Sequence, residues 1–322
     1  MVRASLAMNS PKHPTSSRSL DRWFGTTIVA SSLLLSGCSI KQIAIKQLGS
    51  ALAETGGGAF ASEEDLEFAG QAIPFSLKLI ESLLAEQPNN PELLQAAAAG
   101  FTQYAFVWVQ QPADLIEDED FQEAQRQRDR ARAFYLRAHD YAVRGLDALR
   151  PGTAVLLGTD PARAAARFGA DDVPLLYWSA ASLGAAISLG KTEPELVARQ
   201  NVFAALLERA FALDPDWDAG AVRELMMTFE LSRPAGGDEA YARARAHFQR
   251  LVETTDAGRA SVFVTFAESA SIQRQDRAEF TALLERALAI DPASRPSTRL
   301  ANLASQQRAR WLLGRIDDLF LE

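Results

Sequence analysis

Few residues in this chain are placed to do covalent chemistry. Its 322 residues include one cysteine, Cys38, and three histidines, His13, His139 and His247. No histidine has an acidic or histidine neighbour at metal-ligand spacing, so no metal site is expected. There is no G-x-S-x-G elbow and no dinucleotide fingerprint, and Gly56-Gly57-Gly58 is not followed by the Lys-Ser/Thr of a phosphate cradle. No cofactor is expected either. What remains is noncovalent. In "FTQYAFVWVQ", Phe101, Tyr104 and Trp108 fall at i, i+3 and i+7, one helical stripe, while Phe106 lies about 140° round from Phe101. A helix with two opposed aromatic faces is either buried all round or lines a cavity. Tyr177 and Trp178, in "LLYW", pose the same choice, and the small residues of "SAASLGAAISLG" after them either let helices approach or leave room for a ligand. Phe101, Tyr104, Trp108, Tyr177 and Trp178 are therefore the candidate ligand-lining residues, with core packing as the competing explanation.

The elements that must position them are helices. Alanine is abundant, β-branched runs are scarce and 48% of residues are apolar, enough for a sizeable core. Ser62 followed by Glu63, Glu64 and Asp65 predicts a helix start, with a bend or break near Pro74. In "QPNNPELL", Pro88 ends one helix, Asn90 caps the next and Pro91 takes its first position, which makes antiparallel neighbours. Asp114–Arg150 reads as one long charged helix. The stretch from Pro151 to Val173 reads as loop, with a short helix near Ala162–Phe168. Two ten-residue copies, LLERAFALDP from Leu206 and LLERALAIDP from Leu283, differ only at their sixth and eighth positions. Looser copies start at Leu79, Ala142 and His247. The later spacings approach the roughly 34-residue period of tetratricopeptide repeats. The expected fold is all-α: a degenerate tetratricopeptide-like helix-pair solenoid with inserted helices, over residues 62–322. An antiparallel bundle with recurring Asp-Pro turns is the alternative.

The N-terminus reads as an export signal. Arg3, Lys12, Arg18 and Arg22 precede the mostly apolar Trp23–Leu35, too short for a span of about 20 residues. Leu35-Ser36-Gly37-Cys38 resembles the lipobox of bacterial lipoproteins. That resemblance implies a cleaved signal over residues 1–37 and a diacylglyceryl thioether on Cys38, which leaves no thiol for disulfide or catalysis. Ser39 stands where an Asp would resemble an inner-membrane retention signal, so a periplasmic, outer-membrane-anchored protein is expected. Residues 38–61, with their glycine triplet, read as acylated cysteine and flexible tether. The formal charge is −8, and the first 37 residues hold four of the 33 basic and one of the 41 acidic side chains. The remainder is more acidic still, so a nucleic-acid partner is not expected.

Glu268-Ser269 resembles the Glu-Ser pair of soluble lytic transglycosylases, but their downstream Gly-Leu-Met-Gln segment is absent. Glu268 is read as a solvated helix residue, and no catalytic residue is assigned.

From about Ser62 to Phe320 the chain resembles the T-component family of tripartite ATP-independent periplasmic (TRAP) transporters. The resemblance rests on "QAIPFSLKLIESLLAEQPNNPELL", "VPLLYWSAASLGAAISLGK", "LLERAFALDPDWDAGA" and "RLANLASQQRARWLLGRIDDLF". It implies a periplasmic lipoprotein that partners a substrate-binding P-component, assembles as a homotrimer, and has a largely apolar pore through each protomer for a small hydrophobic or amphiphilic ligand, such as an organic acid. An outer-membrane-tethered scaffold for envelope protein assembly is the rival expectation.

Overall fold

A computed structural model of the protein describes residues 58–233 and 236–321. Cys38, the signal segment and all of the tether before Gly58 lie outside the described residues. The last residues assigned to the tether, 58–61, form a helical turn, with Ser62 N–H bonded to Gly58 O at 3.2 Å.

The described residues are helical and contain no strand, as the composition predicts. Helix α1 spans Leu66–Glu86, and its cap is Asp65, not Ser62. Asp65 Oδ1 accepts from Glu67 N–H at 2.9 Å and Phe68 N–H at 3.0 Å. The acidic run thus supplies the cap as well as the charge that complements the helix dipole. Helix α1 runs unbroken through Pro74. Helix α2, Pro91–Ala105, starts as expected, with Asn90 Oδ1 accepting from Leu93 N–H at 3.0 Å.

A π-helical segment, Phe106–Gln110, follows, then the short α3, Gln111–Leu115. Gln111 N–H bonds Phe106 O, five residues back. Pro112, next in line, has no N–H and crowds the carbonyl four residues earlier, which the wider π turn relieves. The long charged helix is shorter at its start than expected: α4 covers Phe121–Leu149, capped by Asp120. Two short helices, α5 (Thr153–Thr159) and α6 (Pro161–Ala165), occupy the expected loop.

Helix α7, Val173–Leu189, is apolar on nearly every side and sits against α2 and α4. After the single turn α8, Pro194–Val197, come α9, Gln200–Leu213, and α10, Trp217–Ser232. Then follow α11, Gly237–Thr254; α12, Ala260–Phe266; a second π segment, Ala267–Ser271; α13, Arg277–Ala289; α14, Arg299–Gly314; and α15, Ile316–Leu319.

The two near-identical copies fall on α9 and α13 and bury the same positions, Leu206, Leu207 and Ala210 in one, Leu283, Leu284 and Ala287 in the other. Each ends in an aspartate that holds the next turn. Asp214 Oδ1 accepts from Asp216 N–H at 3.1 Å, and Asp291 Oδ1 from Ala293 N–H at 2.9 Å.

Two apolar cores fill the body. One gathers α2, α4, α7 and α9; the other gathers α11 to α14. Helix α10 serves both: Met226 belongs to the first and Met227 to the second. The order of neighbours closes on itself, because α14 lies against α1. Arg299 Nη1 donates to Ser62 O at 3.2 Å, Arg308 Nη1 to Asp114 Oδ2 at 2.8 Å, and Arg315 Nη2 pairs with Asp118 at 3.2 Å. The described ends of the chain therefore meet. Among the described residues no helix is long and apolar enough to cross a membrane.

Candidate functional site

The five aromatic candidates fall in two clusters. The first is on α2, the π segment and α4. Phe101 is buried, stacked on Tyr141 at 5.8 Å between centroids and covered by the Arg137 guanidinium at 4.6 Å. Arg137 and Tyr141 both bind the Glu81 carboxylate, so Phe101 sits beneath a closed polar cap. Tyr104 is half-buried between Trp108 (6.1 Å) and Phe134 (5.8 Å). Trp108 is held in place: its indole N–H donates to Leu66 O at 2.8 Å and its ring lies on Gly70. Phe106 is 47% exposed, on the far side from Phe101, which is 3% exposed.

The second cluster joins α7 to α10. Tyr177 meets Trp178 edge-on at 4.9 Å and Trp217 at 5.1 Å. Trp217 was not among the residues singled out from sequence. It opens α10, and just after it Asp218, Ala219 and Gly220 all have positive φ, 50°, 50° and 88°. Three successive left-handed residues, two of them with side chains, are strained. Arg259 fastens them, its Nη1 donating to Asp218 O at 2.7 Å and Ala219 O at 2.9 Å. Its Nη2 pairs with Glu224 at 3.2 Å. Glu224 also accepts from the hydroxyls of Ser261 (3.1 Å) and Thr265 (3.0 Å) on α12. One guanidinium thus fixes both the turn that presents Trp217 and the carboxylate beside it.

Tyr177 differs in kind from Tyr135. Tyr135 is 1% exposed, and its hydroxyl donates to Gln110 at 2.7 Å. Tyr177 keeps accessible surface and is only half-buried, yet the surrounding protein, and secondarily the Glu224 charge, push its phenol pKa well up. The phenol O–H of Tyr177 and the indole N–H groups of Trp178 and Trp217 have no hydrogen-bond partner among the described residues. None of the three is sealed from solvent-accessible space.

Glu268 and Ser269 lie in the second π segment. Glu268 is not a free solvated residue: Oε1 accepts from Arg308 Nη2 at 2.6 Å and Nε at 3.2 Å. Ser269 donates its hydroxyl to the carbonyl of Thr265. Burial opposes the charge of Arg308, but Glu268 and Asp114 more than offset it and raise its pKa. Asp114 in turn pairs with Arg128 (2.9 Å), which also pairs with Glu117 (2.7 Å).

The histidines lie apart. His139 is 2% exposed between α4 and α7, its Nδ1 2.9 Å from Ser179 O. Burial, with the Arg199 charge, lowers its pKa to about 4. His247 packs edge-on against Phe211 at 5.2 Å. No group of three or more His, Cys, Asp or Glu among the described residues is placed to hold a metal ion.

Residues 62–320 match the family model described as TRAP transporter T-component. An uncharacterized protein of Treponema pallidum (strain Nichols) is 32% identical over 310 residues, spanning 91% of this chain and 96% of its own.

Proposed function

Because the chain belongs to the TRAP transporter T-component family, we propose that it is a lipid-anchored periplasmic accessory of a TRAP transport system that takes up a small hydrophobic or amphiphilic ligand and passes it to or from a substrate-binding P-component. The family supports an accessory role in TRAP transport and association with TRAP components. The ligand, the docking and the anchor are our reading.

One observation carries the ligand part. Tyr177, Trp178 and Trp217 form an aromatic cluster joining α7 to α10 in which all three rings keep accessible surface. An apolar surface lets a poorly soluble molecule leave water, and modest affinity lets it move on. The helix pairs, with their twin copies on α9 and α13, are read as degenerate tetratricopeptide-like pairs. The protein is read as a homotrimer anchored by a lipid on Cys38, on the periplasmic face of the outer membrane, and no catalytic step is assigned to it.

Titration of the full chain with the apolar fluorophore N-phenyl-1-naphthylamine tests the ligand part. Saturable binding that quenches tryptophan emission, and that weakens in Trp178→Ala, is expected. No saturable change in either protein would sink it. Incorporation of radiolabelled palmitate, lost in Cys38→Ser, tests the anchor. Neighbouring genes for a P-component and a membrane permease would support the transport role.

A further inference from the structure

Helix α1 has two apolar faces. One is used: Ala69, Leu77, Ile80 and Leu84 are buried against the body, and the Trp108 ring lies on Gly70. The other faces water. Phe68, Phe75 and Leu79 fall at i, i+7 and i+11, within about 40° of one another and roughly opposite Leu77. They are 60%, 74% and 36% exposed, along a stripe about 16 Å long. A surface helix ordinarily turns polar side chains to that side. Each of the other exposed large apolar side chains among the described residues stands singly on its element, which needs no explanation.

Area and position decide what covers the stripe. Side chains of this kind at these exposures present roughly 300 Å², well short of the about 800 Å² per partner that a stable dimer buries. A narrow apolar stripe on one helix suits a fluid lipid surface, in which such a helix lies along the interface plane. Gly58, where the described chain begins, comes 20 residues after Cys38, a stretch that can span at most about 70 Å. Helix α1 is the first long helix beyond it, so a lipid on Cys38 holds the stripe near a bilayer at high effective concentration.

The charges on α1 decide what kind of lipid. The helix holds Glu67, Glu81 and Glu86 against a single cation, Lys78, which already pairs with Glu81 at 2.8 Å. The chain as a whole carries a formal charge of −8. Anionic headgroups would be repelled, so adsorption runs on apolar burial and favours a neutral surface.

We propose that Phe68, Phe75 and Leu79 form a membrane-docking stripe that beds into the neutral lipid surface to which Cys38 is anchored. This rests on the lipid-anchor reading above and adds an orientation to it, with α1 laid along the bilayer.

The test uses the mature, acylated protein from a bacterial host, reconstituted into phosphatidylcholine vesicles. Ser82 is exposed and lies beside Leu79, one turn on. Ser82→Cys supplies a single thiol, because the lipid occupies Cys38, and carries an NBD fluorophore. Its emission is expected to move to shorter wavelength on vesicles and to be quenched by nitroxide-labelled lipid tails, as for a group about 5–10 Å into the interface. Phe68→Asp combined with Phe75→Asp is expected to abolish both effects while the protein still floats with the vesicles by its lipid. Both positions are exposed, so the fold survives the change. Exchanging part of the lipid for phosphatidylglycerol is expected to reduce the shift.

Absence of a shift in floating protein overturns the docking and leaves the anchor standing. Failure to float overturns the anchor and the docking with it. A shift that needs no vesicles and grows with protein concentration assigns the stripe to a second copy of the chain, and a shift kept in the double variant assigns it to the fluorophore; either overturns the docking. A larger shift with phosphatidylglycerol overturns the neutral-surface argument.

Discussion

Arg308 lies 2.8 Å from Asp114 and 2.6 Å from Glu268, joining carboxylates that precede it by 194 and 40 residues. The first contact ties α14 to α3, and the second ties α14 to the second π segment. Removing the guanidinium leaves the half-buried Glu268 without its ion-pair partner and Asp114 with Arg128 alone. Arg308→Ala is expected to destabilise the protein by about 2 to 3 kcal/mol, a buried-pair cost reduced for partial solvent access. Urea unfolding checks the magnitude. Limited proteolysis should show new cleavage at residues 116–120, the link between α3 and α4.

His139 gives the fold a pH dependence of known sign. Its folded pKa, about 4, is below the unfolded value near 6.5, so the neutral ring is the form the fold accepts. As pH falls below about 6.5 the unfolded chain takes up a proton first, and stability drops until the folded ring protonates near pH 4. The loss is about 3 kcal/mol at most. Arg199 opposes the charged ring and Ser179 O favours it. Thermal melts from pH 7 to 4 on the protein and on His139→Gln should differ in slope over this window. Equal slopes would refute the assignment.

Gly70 is held to hydrogen by Trp108. A Cβ there would meet the indole Cδ1 and Nε1 at 2.4 Å. Gly70→Ala must displace the ring and break its bond to Leu66 O. A cost of about 1 to 3 kcal/mol is expected, with a shift in tryptophan emission that a purely distant effect would not give.

Gly220→Ala should be at least as severe. The residue sits at φ 88°, and a Cβ would meet Leu251 Cδ2 at 2.4 Å. The expected loss is about 2 kcal/mol or more. Because this turn presents Trp217, ligand binding should weaken in the surviving folded fraction, measured by calorimetry at low temperature. Full-strength binding would detach the turn from the site.

Local chemistry was legible in the sequence wherever neighbours decide it. Asn90-Pro91 caps and starts α2 as expected, and the twin LLER copies bury matching faces. Ser62 failed as a cap because Asp65, three residues on, has the stronger acceptor and lies next to the helix. The π segments shift register without changing composition, and Pro112 was the one available hint at the first. The site was half legible. Tyr177 and Trp178 stood out as adjacent aromatics, but Trp217 did not, since its role depends on a left-handed turn and on Arg259 some 40 residues away. A comparison of the copies held the signal. After the shared Asp-Pro, one continues DWDAG and the other ASRPS; the first makes the strained turn and the second makes two 3-10 turns, Pro292–Ser294 and Pro296–Thr298. The ring closure through Arg308 and Asp114 had no sequence signature, because a surface-type charge reveals nothing about a partner so far along the chain.

Met226 and Met227, side by side on α10, drain into different cores. The helix is a party wall with no spare thickness. Neither half of the body owns a complete boundary, so cutting the chain on either side of α10 exposes the apolar face of the piece left behind. Shuffling halves between relatives would have to carry this wall, with its two methionines matched to both sides at once.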